Sequence, residues 1–124
     1  MQFMLLVNID QSLLDTLPEG EYERLMKGCI EKADELRAAG CLLESQQLEA
    51  PQRARTVRAR RGETSVFDGP FAETKEVLAG FNLIEAESEQ QALEIAESFP
   101  WIRYGSIEVR PVRDFAAVRR RVGA

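Results

Sequence analysis

Apolar and polar positions change register several times along this chain. Phe3-Met4-Leu5-Leu6-Val7 is an unbroken apolar run, the pattern of a short strand covered on both faces. After a polar, turn-rich stretch, Thr16 with Glu19 around Pro18 predicts a helix start, weakened by Gly20. Tyr22, Leu25, Met26, Cys29, Ile30, Ala33 and Leu36 then recur at spacings of three and four, which predicts one apolar stripe along a helix. Gly40 suits its left-handed C-cap. Cys41–Leu48 reads as a second strand leaving through Pro51. Arg55–Arg60 and Thr64–Phe67, around Arg61-Gly62-Glu63, predict a hairpin.

Leu78–Glu85 is a further strand, and Gly80 inside it predicts a bulge or a close backbone approach. Ser88, with Gln91 three residues on, caps a second helix. Its apolar side is Ala92, Leu93, Ile95, Ala96 and Phe99, and Pro100 ends it. Ile107 and Val109 alternate with Glu108 and Arg110 as a last strand closed by Pro111. The order is β-α-β, a β hairpin, then β-α-β, which predicts a ferredoxin-like α+β fold: a βαββ(β)αβ antiparallel sheet with two helices on one face. The other face would carry apolar residues from Phe3–Val7, Phe81–Ile84 and the hairpin. A monomer rarely leaves such a patch in water, so a homodimer through this face is expected.

A length of 124 residues and a hydrophobic fraction of 44% fit one folded domain. The net charge of -5 disfavours a general nucleic-acid binder. Charge is unevenly placed: residues 1–50 hold four basic and ten acidic residues, whereas 51–80 hold six and four, and 113–124 hold four and one. A basic hairpin and tail could bind a small anionic ligand, although such runs more often only solvate. Residues 113–124 form a basic C-terminal tail with little to bury beyond Phe115 and Val118, so the tail should be dispensable for folding. The two cysteines, Cys29 and Cys41, make no disulfide framework, and reduced thiols in a cytoplasmic setting are expected. Cys29, inside the helical stripe, reads as a packed thiol and not a nucleophile. Phe3–Val7 is too short for a membrane span.

The densest local feature is "FDGPFAETKE", residues 67 to 76. Gly69 accepts turn angles, Asp68 can bond neighbouring amides, Pro70 fixes the exit and Phe71 can anchor the loop in the core. The structural reading is a rigid connection with a local ion pair. The functional one places Asp68, Glu73 and Lys75 in a cleft near the last strand, where Arg110 joins them. Asp68 and Glu73 are then candidate proton carriers and Tyr104 a candidate donor, with Lys75 and Arg110 as anion partners. The spacing matches no known metal loop, so no metal or cofactor is expected.

The segments "FMLLV", "LRAAGCLLESQQLEAP", "TVR", "DGPFAETKEVLAGF" and "YGSIEVRPV" resemble the YCII-related superfamily, specifically its DGPF branch, over about residues 3 to 112. The resemblance implies a single domain, residues 1–112, and a dimeric α/β barrel of two ferredoxin-like subunits. It also implies a functional link to a sigma factor, since genes of this branch are often described alongside sigma factors. Another branch is proposed to use a histidine–aspartate pair, and some relatives look like lyases of aromatic catabolism. This sequence has no histidine. Cys29 falls roughly where that histidine would be, Phe99 stands before Pro100 where that branch has aspartate, and Tyr104 stands where some relatives have histidine. Imidazole acid–base chemistry and a histidine-ligated metal are therefore excluded for this chain alone. A dimeric small-ligand-binding or regulatory module is the favoured expectation. The alternatives are a lyase or isomerase using the motif's carboxylates, and a non-catalytic scaffold.

Overall fold

The computed structural model describes residues 1–124. Its main sheet has four antiparallel strands: β1 (Gln2–Ile9), β2 (Leu42–Gln47), β5 (Val77–Glu85) and β6 (Gly105–Pro111), ordered β2-β5-β1-β6. Counted without the intervening hairpin, this is the 4-1-3-2 strand order of a ferredoxin-like fold. Helices α2 (Glu21–Ala38) and α3 (Glu89–Glu97) are the two crossovers. Within one chain β1 is covered on one face only, not on both as its unbroken apolar run predicts: Phe3, Leu5, Val7 and Ile9 are buried, and Met4, Leu6 and Asn8 are half-buried. The register pairs Leu5 with Asn82 and Val109, and Val7 with Gly80 and Ile107, so these residues share the helix-covered face. Met4, Leu6, Phe81 and Leu83 lie on the opposite face, which no helix covers. No helix is long and apolar enough to cross a membrane.

Local signals set most boundaries. The Ser88 hydroxyl accepts from the Gln91 amide, and the Gln91 side chain reaches back to the Glu87 amide, so α3 begins where its caps stand. Gly40 takes φ 80° after α2, where the Cys41 amide closes on the Leu36 carbonyl. The helix start expected at Thr16 is corrected. A one-turn helix α1 (Gln11–Asp15) is capped by Asp10 and stops at Thr16, and α2 begins only after Gly20 at φ 84°. Asp10 accepts hydrogen bonds from the Ser12 amide and hydroxyl, and this pre-empts the Thr16 cap.

Packing on the helix face is uneven. At one end Phe3, Leu5, Leu36, Leu42, Ile84, Ala92, Ile95 and Phe99 close into the core. Phe3, Leu5 and Ile84 are fully buried, each stabilising the fold by roughly 1.5–3 kcal/mol relative to exposure. At the other end the α2 stripe does not meet the sheet. Leu25 and Cys29 are buried, but Tyr22 is 42% exposed and Ile30 51% exposed. The periodicity locates the inward side of α2 correctly; what it faces there is a cavity.

The hairpin of β3 (Arg55–Arg60) and β4 (Glu63–Asp68) forms its own two-stranded sheet, turned by Arg61 at φ 53° and Gly62 at φ 79°. No residue of either strand is buried, and Val57 stays 68% exposed. The C-terminal segment is not unstructured. Residues Phe115–Val122 form α4, capped by Asp114 and by Gly123 at φ 74°, and bury no residue.

Candidate functional site

The cavity lies between α2 and the β2-β5-β1 part of the sheet and has a volume of about 540 Å³. Its apolar wall comes from Val7 and Ile9 of β1, Met26 and Cys29 of α2, and Phe99 and Trp101 at and after the end of α3. Gly80 makes room on the β5 side: a side chain there would start 2.6 Å from the Gln46 carbonyl oxygen, so β2 and β5 meet backbone to backbone. A bulge between Val7 and Asn8 lies opposite the same stretch. The close approach expected of this glycine is present.

Two inward polar residues interrupt the apolar wall. Asn82 is 5% exposed, and its Oδ1 accepts a 2.6 Å hydrogen bond from the Ser45 hydroxyl of β2. At one edge Gln47 Nε2 donates to Met26 Sδ at 3.2 Å, tying β2 to α2. The charged lining residues are Asp34, Arg37 and Glu49, all on the exposed side. With two carboxylates against one guanidinium, the wall exerts no net attraction on an anion.

Cys29 stands in this wall, 3% exposed. Burial pushes its thiol up to about 11, only partly opposed by a hydrogen bond from the Trp101 backbone. The thiol is therefore neutral at physiological pH and behaves as a small hydrophobe, as its place in the helical stripe suggests.

The central motif lies outside the cavity lining. The Asp68 side chain is 91% exposed and pairs with Arg55 at 3.5 Å across the hairpin. Glu73 is exposed and makes no ion pair. The core anchor expected of Phe71 is corrected, since this ring is 77% exposed. Phe67 is 38% exposed, and the Arg58 guanidinium lies 5.5 Å from its ring centroid. The turn half of the motif is well defined. Gly69 has φ 93°, its amide donates to the Ala54 carbonyl at 2.7 Å, and its carbonyl accepts from the Thr56 hydroxyl at 2.8 Å. Gly69 with the half-buried Pro70 thus clasps the base of the hairpin.

Lys75 pairs not with Glu73 but with Asp10, at 3.7 Å. The Asp10 carboxyl is held below its ordinary 3.8 by the Ser12 hydroxyl first, against some opposing desolvation, with smaller help from the Ser12 amide and Lys75. The Asp10 amide donates to the Tyr104 carbonyl, and Glu76 accepts from the Ser106 hydroxyl at 2.5 Å. The end of the motif is therefore tied to the start of β6. Arg110 sits towards the other end of that strand, opposite Met4, exposed and paired with Glu108 at 3.5 Å. Lys75 and Arg110 are not brought together. No group of histidine, cysteine and acidic side chains is arranged to hold a metal ion.

Three residues that matter here were not singled out from sequence. Asp10 had a usable signal, an aspartate two residues before a serine at the end of a strand. Asn82 had one too, as the polar residue at an inward position of an apolar strand. Ser45 had none.

Residues 1–116 match the model of the YCII-related domain, and the chain belongs to that family. It is 38% identical over 114 residues to an uncharacterised protein of Rhizobium meliloti (strain 1021), covering 90% of this chain and 92% of that protein. Among solved structures it is similar to 5-chloro-2-hydroxyhydroquinone dehydrochlorinase (TftG) from Burkholderia phenoliruptrix AC1100 in complex with 2,5-dihydroxybenzoquinone. That similarity has 14% sequence identity and a TM-score of 0.47, over 91% of this chain and 94% of the other.

Proposed function

We propose that this YCII-related protein is a dimeric small-molecule-binding module, with its ligand held between α2 and the sheet. The observation that carries the reading is the cavity itself. Its size lies within the range of small-molecule sites, and most of its wall is apolar. A fold that needed only stability would close α2 onto Val7, Ile9 and Gly80, as it closes onto Leu5 and Ile84 at the other end.

The alternative, a lyase or isomerase, needs a proton carrier against the ligand. Asp68 and Glu73 stand in solvent, Tyr104 and Arg110 are absent from the cavity wall, and Cys29 is held neutral. The small anionic ligand expected from the basic hairpin would find Arg37 as the single cation of the wall. These placements favour a neutral, largely apolar ligand and binding without catalysis.

The second copy belongs to the same proposal. Met4, Leu6, Phe81 and Leu83 form an apolar face with no helix over it. Pairing two such faces would complete the barrel that the family resemblance implies, with residues 1–112 as the binding unit and 113–124 as an appendage.

Two measurements test this. Calorimetric titration with a neutral bicyclic aromatic should show saturable binding to the native protein and none to Met26→Trp, which fills the cavity, provided circular dichroism shows the variant folded. Equal binding by the filled variant, or none by the native protein, rejects the cavity reading. Light scattering at micromolar concentration should give twice the 14.0 kDa chain mass; a stable monomer rejects the paired faces.

A further inference from the structure

Beyond being apolar, the cavity is lined by one buried amide, that of Asn82, whose N–H donors lack a protein partner. Asn82 has two amide N–H donors and a carbonyl acceptor. Its carbonyl oxygen is occupied by the Ser45 hydroxyl at 2.6 Å, while its Nδ2 donates to no protein group. The residue is 5% exposed, so this amide has left bulk water. No fully buried side-chain nitrogen or oxygen lacks a partner, so Nδ2 still meets open space. The space Asn82 lines is the cavity.

Its surroundings sharpen the point. Asn82 shares the inward face of the sheet with Leu5 and Val109 across the ladder, and its neighbours on that face of β5 are Gly80 and Ile84. An unpaired amide among such residues costs free energy relative to leucine of similar size. The Ser45 bond holds the amide through its oxygen and leaves its donor edge without a protein partner.

We propose that Asn82 is the specificity-determining residue of the cavity, and that the ligand is a neutral aromatic or cyclic compound whose carbonyl oxygen accepts from Asn82 Nδ2. This rests on the cavity reading above and adds the chemistry of recognition to it. The rings of Phe99 and Trp101 and the side chains of Val7, Ile9 and Met26 take the hydrocarbon body. Ser45 is a positioning residue, acting through Asn82. The neutral Cys29 thiol adds no charge that would attract or repel the ligand.

The test uses two probes of nearly the same shape, 2-acetylnaphthalene and 2-isopropenylnaphthalene, which differ in C=O against C=CH₂. Calorimetric titration of the full chain should give the ketone a roughly five- to tenfold lower Kd, the range expected for one neutral hydrogen bond. Asn82→Leu should lose the preference for the ketone over the hydrocarbon. Ser45→Ala should keep part of it. If Asn82→Leu fails to fold, the infrared carbonyl stretch of the ketone bound to the native protein decides, since a donated hydrogen bond moves it to lower frequency. Equal binding of both probes, or an unshifted carbonyl, overturns the role of Asn82 and leaves the cavity reading standing. Binding of neither probe overturns both.

Discussion

The two halves of this molecule spend their residues differently. In the main sheet, β1 alternates strictly, and its inward residues Phe3, Leu5, Val7 and Ile9 are all at most 5% exposed. In the arm made by β3, β4 and the motif behind them, Val57, Val66 and Phe71 are all at least 50% exposed. The sheet is held by burial, which is non-directional and large. The arm is held by its ladder, by the turn at Arg61-Gly62 and by the Gly69 clasp, which are directional and individually small. An isolated two-stranded hairpin is marginal in water. The arm persists because both its ends are fixed: the Leu48 amide donates to Ala79 on the way out, and Lys75 and Glu76 tie down the return.

The contrast can be broken by substitution. The largest loss should come from Ile84→Ala at a fully buried site, about 2–5 kcal/mol by denaturant titration, whereas Val57→Ala should stay within about 0.5 kcal/mol for the monomer. If the two costs proved similar, the arm would be packed in solution, and a second copy would be the first suspect.

Two glycines sharpen the same contrast. Gly80 is required by space, and Gly80→Ala should cost roughly 1–3 kcal/mol because the new carbon meets the Gln46 carbonyl. Gly69 is required by angle. Nothing lies within 4 Å of a side chain built there, yet φ is 93°. Gly69→Val should therefore cost about 1–2 kcal/mol, and Gly69→Asn noticeably less. Equal costs for Val and Asn would show that the turn relaxes.

Acid titration probes the tie between the halves. The native Asp10 carboxyl lies below its ordinary 3.8, so its contribution is present above that value and is lost as pH falls through the lower native one. Ser12→Ala should move this acid loss to higher pH more than Lys75→Met does, because the Ser12 hydroxyl is the larger cause. The reverse order would make the Lys75 pair the main support. The smallest effect expected is truncation after Arg113, which removes α4. With no residue of that helix buried, the thermal midpoint should barely change, and a large drop would mean that Phe115 and Val118 are covered in the assembly.

What could be read from sequence divides along the same line. The Ser88 cap, the Gly40 C-cap and the Arg61-Gly62 turn were legible because each is a local conformational preference. The fold class followed from the order of elements along the chain. The cavity was not legible: a stripe of Tyr22, Met26, Cys29 and Ile30 looks the same whether it touches the sheet or stands away from it. Lys75 was placed with its sequence neighbour Glu73, and its partner Asp10 is a tertiary fact. Asn82 was hidden in an apolar strand whose hydrophobic neighbours dominate the pattern.

The arm leaves the cavity wall at Pro51 and the chain rejoins that wall at Val77. This has a consequence for amide hydrogen exchange. Protection in β3 and β4 should be lost through local opening, at a small fraction of the free energy needed to expose Leu5 or Ile84. Because the ladder between β2 and β5 closes behind the arm, that opening should stop at Leu48 and Ala79. The chain would then contain two cooperative units, one inserted within the other. A ligand in the cavity touches the wall where the units join, so it should slow exchange on both sides of that boundary, including amides of the arm it never contacts.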